Sequence, residues 1–555
     1  MNAPGHPLVL KPIAAIGDTL GLQSDHVLPW GRHRAKIDLA ALNGRSAKGK
    51  LVLVSAINPT PAGEGKTTMS VALAMGLRRR GKNAVAALRE PSLGPVFGVK
   101  GGGTGGGRAT IEPQDDINLH FTGDIHAVTA AHNLLAALVD NAILYRDPME
   151  IDPRTVTWPR AMDMNDRSLR NVIIGLGGKG HGIPRESRFD ITAASEVMAI
   201  LCLAKSLQDL QERCSKIIVG TTRSGDTVRA GDVFAGPAMA ALLRDALMPN
   251  LAQTAEGGPA IVHGGPFANI AHGCNSVLAT EMALAYGDVV VTEAGFGFDL
   301  GGEKFMDIKT RVLGKQPDAL VLVATVRSLK YHGGQNPKQL GDRNDEALRK
   351  GMDMLEKHLD TAKMFALPCV VVLNRFPTDS DHEHEELRKF LQARGVTLAV
   401  CSSFVQGGEG ALEFADAVTS ALETAPKRAP RYTYALEDSI EQKLSAIATK
   451  VYGAKDVQLT AAARDDLARI EKQGGGSLPV CVAKTHLSLS DVASAVGRPK
   501  DFTITVRELR HAAGAGFVVA LTGELLTMPG LPKEPSARRV SLHADGRISG
   551  LMQGG

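Results

Sequence analysis

An α/β fold with a doubly wound, mostly parallel sheet is what this sequence predicts, and three features predict it. Residues 51–57 form an apolar, β-branched run that reads as a buried strand, and a glycine loop and a helical pattern follow it directly. Further apolar runs alternate with amphipathic helical stretches along most of the chain, as parallel strands joined by helices require. The loops densest in glycine lie where such runs end, at the carboxyl edge where ligands of open α/β sheets gather.

The first of these loops reads Asn58-Pro59-Thr60-Pro61-Ala62-Gly63-Glu64-Gly65-Lys66-Thr67-Thr68. Residues 67–80 then carry apolar side chains at helical spacing and stop at Gly81, a residue type suited to the position just past a helix end. Strand, loop and helix together make a phosphate site, because successive backbone N–H groups converge on an anion at the positive end of the helix. In such a loop a lysine reaches the β and γ oxygens and a threonine hydroxyl ligates Mg²⁺, roles that Lys66 and Thr67 fit. Thr60 stands six positions before Lys66, where the general pattern has glycine, so the loop is a variant P-loop in a P-loop NTPase-like fold. A glycine turn with a solvated lysine is the competing reading, and it leaves the flanking strand and helix without a purpose. The candidates facing a nucleotide are Thr60, Pro61, Gly63, Glu64, Gly65, Lys66, Thr67 and Thr68.

Composition sets the outer limits. The chain has 555 residues, 44% of them hydrophobic, enough for two to four domains with a sizeable core. A net charge of +4 with scattered Lys and Arg argues against nucleic-acid wrapping and against a polybasic membrane anchor. The six cysteines form no CxxC pair, which favours reduced thiols and no structural zinc. Residues 1–17 lack the pattern of a secretory signal, and no later apolar run approaches the ~18 residues of a membrane helix, so a soluble, cytoplasmic protein is expected.

Residues 1–50 read as a polar, helix-prone lead-in with a packing role. A second strand, 83–88, ends in Arg89-Glu90-Pro91-Ser92, placing an arginine and a carboxylate at the sheet edge beside the phosphate loop if the two strands are neighbours. An ion pair between Arg89 and Glu90 is the plainer alternative. The loop 98–108 is too rich in glycine for a helix or strand interior and suits backbone that hugs a ligand. Next, His120 and His126 flank Asp124 ahead of a helical run; two histidines and one acid are too few for zinc, so hydrogen-bonding or acid–base roles are expected. Residues 150–260 alternate short strands and helices, one of them over 192–211. They lead to a glycine-rich loop, 262–276, that carries His263, Asn269 and His272.

The run 288–293 is a buried strand ending in Glu293, the position of the second acidic group that holds Mg²⁺ in P-loop enzymes; Glu90 is the second candidate for that role. Strands are also expected at 319–326 and 369–373. The charged segment 379–386 reads as the solvated first turn of a helix. Three further strand-like runs, at 478–483, 502–506 and 517–522, imply a small C-terminal sheet. The resulting division is 1–113 and 271–365 for the nucleotide-binding domain, 114–270 for an inserted α/β layer and 366–555 for a C-terminal α/β domain.

Seven separated stretches, 60–68, 98–107, 121–126, 262–276, 291–304, 323–334 and 528–532, together resemble the formate–tetrahydrofolate ligase (formyltetrahydrofolate synthetase) family over essentially the whole chain. The resemblance implies ATP-dependent ligation of formate to tetrahydrofolate through formyl phosphate. It also implies a homotetramer activated by a monovalent cation such as K⁺ or NH₄⁺, with formate and tetrahydrofolate as its small-molecule partners. On the same basis Arg89 holds formyl phosphate and Asp124 binds the pterin. Phe376 and Phe404 sandwich the pterin ring, Phe296 lies near the nucleotide, and His126 and His263 handle protons. Phe404 stands where the family commonly has tryptophan, Arg108 where it has tyrosine and Phe298 where it has alanine, changes that bear on pocket shape. Residue patterns taken without the resemblance reach only an Mg-ATP-dependent α/β protein with an arginine beside its phosphate loop. A ligase of another small acid, like the dethiobiotin-synthetase branch, and a nucleotide-switched scaffold of the partition-ATPase type fit that coarser description.

Overall fold

The computed structural model describes residues 9–551 except 61–62, 99–101, 146–147, 269–270, 427 and 524. Its centre is a 12-stranded sheet. Seven of its strands are mutually parallel and are labelled here in chain order: β1 (Lys50–Ala56), β2 (Ala84–Leu88), β3 (Pro259–Val262), β4 (Val289–Glu293), β5 (Ala319–Ala324), β6 (Cys369–Asn374) and β7 (Thr397–Cys401). They lie in the order β3-β2-β4-β1-β5-β6-β7, so β1 has the chain's earlier crossover on one side and its later strands on the other. The carboxyl ends of β1, β2 and β4 meet at that point, as expected for the ligand crevice of a doubly wound sheet.

Period-two alternation explains why these strands are apolar throughout. Leu51, Leu53, Val85, Ala87, Val290, Leu320 and Leu322 enter the core on one face of the sheet. Val52, Val54, Ala84, Ala86, Val291, Val321 and Val323 enter the core on the other. With both faces covered by helices, neither register can be polar. Helix Lys66–Arg79 fills the second face, and helix Leu412–Thr424 packs over it. The long helix Asp124–Leu144 has the length and apolar character of a membrane-spanning helix; its buried residues, from Ile125 to Ile143, belong to the main core, and it packs on helix Ala235–Leu243.

Several expectations give way here. The lead-in forms helix Ile13–Leu20 and two antiparallel strands, Val27–Pro29 and Ala35–Ile37, that extend the sheet edge through Asn250–Thr254. The division at 365/366 cuts the sheet, since β6 and β7 hydrogen-bond onto β5 in parallel register. The strands Asn250–Thr254 and β3, from the stretch expected to be inserted, likewise belong to it. The predicted 192–211 helix is two helices, Glu196–Leu203 and Leu207–Lys216, because Ser206 caps the second by accepting the Asp209 N–H. Two of the predicted C-terminal runs, at Val480–Ala483 and Phe517–Leu521, join the unpredicted strand Glu508–Ala512 in a three-stranded sheet, while Thr503–Val506 pairs instead with Asp456–Leu459.

Candidate active site

The phosphate loop leaves β1 and enters helix Lys66–Arg79 with Gly65 as its N-cap at φ 75°. A Cβ at Gly65 would stand 2.7 Å from Asn374 Nδ2, so both the backbone conformation and the close approach of β6 require glycine. Glu64, expected to face a nucleotide, is turned inward: its carboxylate accepts the Thr60 N–H at 2.8 Å and the Thr325 hydroxyl at 2.6 Å. Asn374 Nδ2 donates to the Glu64 carbonyl at 3.2 Å. Glu64 therefore braces the loop across the sheet, and its contribution to a ligand is confined to backbone. Lys66 is half-buried at the first helical position and Thr68 is buried behind it. Pro61, and Asn269 of the later loop, lie outside the described residues.

Glu293 ends β4 between the two strands that carry the other site residues, paired with β1 at Val54 and following the Thr292↔Ala87 pair with β2. This register brings three predicted residues together. Thr67 Oγ1 donates to Glu293 Oε2 at 2.8 Å, and Arg89 Nε lies 3.6 Å from Glu293 Oε1. Arg89 Nη1 reaches the Pro266 carbonyl at 3.5 Å, which brings the start of the loop after β3 against the guanidinium. Thr67, at the start of the helix after the phosphate loop, and Arg89 are thus linked through a single carboxylate. Oxygen donors from Thr67 and Glu293 in mutual contact suit Mg²⁺, a hard cation bound through one or two protein ligands.

Glu90 does not fit that role. Its carboxyl is fully buried and held well above the usual range by burial and by the Asp124 charge, with Asp163 acting in the same sense and Lys36 opposing. It belongs to a second cluster around Asp124, at the start of helix Asp124–Leu144. Lys36 Nζ donates to Asp124 Oδ1 at 2.5 Å and Asn250 Nδ2 donates to Asp124 Oδ2 at 2.7 Å. The Thr122 hydroxyl adds a third, longer contact to Asp124 Oδ1 at 3.3 Å, so the carboxylate is held by protein donors on both oxygens.

His263 is corrected from proton carrier to scaffold. Its Nε2 donates to the Ala246 carbonyl at 2.6 Å, and its Nδ1 accepts from the Ser276 hydroxyl at 2.6 Å. Burial, with Lys36 nearby, pushes the ring down to about 4, so it is neutral in a fixed tautomer. His126 is exposed in the first turn of its helix and has no such constraint.

The aromatic candidates follow neighbouring strands. Phe376 comes after β6 with the Arg327 guanidinium 4.3 Å from its ring centroid, which covers one of its faces. Phe404 sits on the short helix after β7 and is 52% exposed. Its ring touches the glycine loop: a Cβ at Gly106 would be 3.2 Å from Phe404 Cε2 and 3.5 Å from Thr68 Oγ1. The Arg108 N–H donates to the Phe404 carbonyl at 2.9 Å. Glycine loop, phosphate loop and aromatic shelf therefore converge. Phe296, at φ 58°, stacks on His486 with centroids 4.3 Å apart.

Sequence reasoning missed the residues that hold this arrangement. Asn58, ahead of the loop, accepts from His332 Nε2 through its carbonyl at 2.7 Å and from His358 Nε2 through its side chain at 2.9 Å. Its amide donates to Asp299, which pairs with buried Lys484. Burial would raise the Asp299 carboxyl, but the charges of Lys484 and His358 hold it below the usual range. Position 58, next to the glycine loop, was the available signal; Lys36 and Lys484 gave none.

Fold and site together define an α/β protein whose glycine loop, between a parallel strand and a helix, is linked to Arg89 through Glu293. A family model described as formate–tetrahydrofolate ligase matches residues 6–552. A protein of Myxococcus xanthus (strain DK1622) named formate–tetrahydrofolate ligase is 62% identical over 551 residues, covering 99% of this chain and 100% of that one. The chain belongs to the formate–tetrahydrofolate ligase family.

Proposed function

We propose that this chain ligates formate to tetrahydrofolate at the expense of ATP, giving 10-formyltetrahydrofolate, ADP and phosphate through formyl phosphate. The observation that supports the reading most directly is the Thr67–Glu293–Arg89 chain, in which a guanidinium, a group suited to carboxylate and phosphate, is linked through one carboxylate to the helix start after the glycine loop. Formate is ionised at neutral pH and needs no general base; catalysis of the first step is alignment and neutralisation of two anions. Lys66 and the loop amides hold the triphosphate, and Arg89 takes the formate carboxylate in the bidentate manner that guanidinium geometry permits. A formate oxygen forms the new bond to the γ phosphorus as the bond to ADP breaks. Thr67 and Glu293 would hold Mg²⁺, which when bound supplies further neutralisation of phosphate charge. The folate amine then attacks the formyl carbon, phosphate departs with Arg89 balancing its charge, and the amine proton passes to solvent. Asp124 accepts from the pterin, whose ring is flanked by Phe376 and Phe404. His126, exposed beside Asp124, is the remaining candidate for proton handling.

The same reading includes a cytoplasmic homotetramer with a monovalent cation, K⁺ or NH₄⁺, as activator, to which no residue is assigned here. It also treats residues beyond the central sheet, from about 430, as a C-terminal unit with its own core around Ile440, Val451, Val480 and Val518. ADP release that requires both formate and tetrahydrofolate is the deciding assay; release indifferent to formate would contradict the proposal.

A further inference from the structure

Among the site residues, Glu293 contacts both halves at once. One oxygen accepts the Thr67 hydroxyl at 2.8 Å and the other lies 3.6 Å from Arg89 Nε, an atom without a hydrogen-bond partner of its own. The carboxylate is almost sealed from solvent at the end of β4, the strand lying between β1 and β2. Its charge is shared between a hydroxyl that serves the nucleotide and a guanidinium that serves the acid substrate.

We infer that Glu293 couples the two half-sites, so that magnesium-bound nucleotide raises the affinity for formate; this rests on the function proposed above. Without nucleotide, the buried Glu293 carboxylate partly neutralises Arg89, and an incoming carboxylate must compete with it. A divalent cation held by Thr67 and Glu293 would take up the Glu293 charge, leaving the Arg89 charge available to formate. Linkage makes the effect reciprocal: formate tightens magnesium-nucleotide binding by the same factor. Glu293 is thus a positioning residue whose action on formate passes through Arg89.

Calorimetric titration of formate into the full chain, alone and with saturating magnesium and the non-hydrolysable analogue AMP-PNP, tests this without turnover. Formate Kd should tighten at least about fivefold with the magnesium complex, the lower end of ordinary site–site coupling, and stay unchanged with the analogue in EDTA. Glu293→Gln keeps an acceptor for Thr67 without the charge. It should bind formate alone about as tightly as the wild type does with the magnesium complex, and should gain nothing further from that complex. Equal coupling in wild type and variant, or tightening that persists in EDTA, overturns the inference. If the variant fails to fold, the wild-type comparison with and without EDTA still decides it. Binding of both ligands with independent affinities would sink the coupling alone, whereas a wild type that binds neither would sink the site assignment itself.

Discussion

Lys484 donates to Asp299 at 2.8 Å with both side chains closed off from solvent. Lys484 follows the Val480–Ala483 strand of the C-terminal layer, and Asp299 follows β4, so the bond fastens that layer to the strand that carries Glu293. Asn58 joins them from the start of the phosphate loop. Removing the lysine leaves a buried carboxylate whose partner is gone, a change that costs about 3–5 kcal/mol in comparable pairs. Lys484→Ala should lower the urea midpoint accordingly; a loss under about 1 kcal/mol would show that the pair carries little of this interface.

Lys66→Ala should remove turnover with little effect on stability. The side chain is half-buried at a helix N-terminus and belongs to no core cluster. Loss of one preorganised donor to developing charge costs about 10²–10³-fold in rate, and the thermal midpoint should stay close to that of wild type. Near-wild-type turnover would remove the loop from the mechanism.

Arg89→Ala separates the two halves of the site. ATP binding, measured directly, should fall far less than formate saturation and turnover, since among the described residues the guanidinium is linked to the helix start after the loop through Glu293. Arg89→Lys should recover only part of the loss, because an ammonium cannot make the paired contact. Unchanged formate saturation in either variant would refute the assignment.

Phe404 tests the aromatic shelf. An aromatic contact of this kind is worth about 0.5–1.5 kcal/mol beyond area burial, so Phe404→Ala should weaken tetrahydrofolate binding several-fold to about tenfold by fluorescence titration. Phe404→Trp should bind at least as tightly as wild type. Equal affinity of Phe404→Ala and wild type would rule out stacking there.

Stability should carry a pH signature from Glu196. Burial raises its carboxyl from 4.5 to about 7 against the two N–H donors of Ala515 and Gly514. Because the folded state binds this proton more tightly than the unfolded chain, the contribution is complete below about pH 4.5 and is lost as pH rises to about 7. At about 1.4 kcal/mol per unit, the window amounts to roughly 3 kcal/mol. Glu196→Gln should flatten the urea-derived stability between those pH values; an unaltered slope would exclude Glu196 as its source.

Much of this architecture was legible in the chain itself. Local signals sufficed wherever one residue type answers to one physical demand: β-branched runs for strands buried on both faces, Gly63 and Gly65 for left-handed turns, a lysine and a threonine at a helix start. Those signals determined the α/β class, the phosphate loop, Arg89 at the end of β2 and Glu293 at the end of β4. Sequence could not say that β4 would lie between β1 and β2, yet this adjacency alone makes Glu293 touch Thr67 and Arg89. Tertiary structure likewise decided that the Glu64 side chain braces the loop, that His263 is locked neutral, and that Lys36 and Lys484 are buried partners of Asp124 and Asp299. Apart from His263, whose partners Ala246 and Ser276 lie 17 and 13 residues away, the deciding contacts span from 88 residues for Lys36 with Asp124 to 261 for Glu64 with Thr325. A side chain's environment at such separation is set by which strands become neighbours, and strand order is a property of the whole packed sheet rather than of any stretch within it.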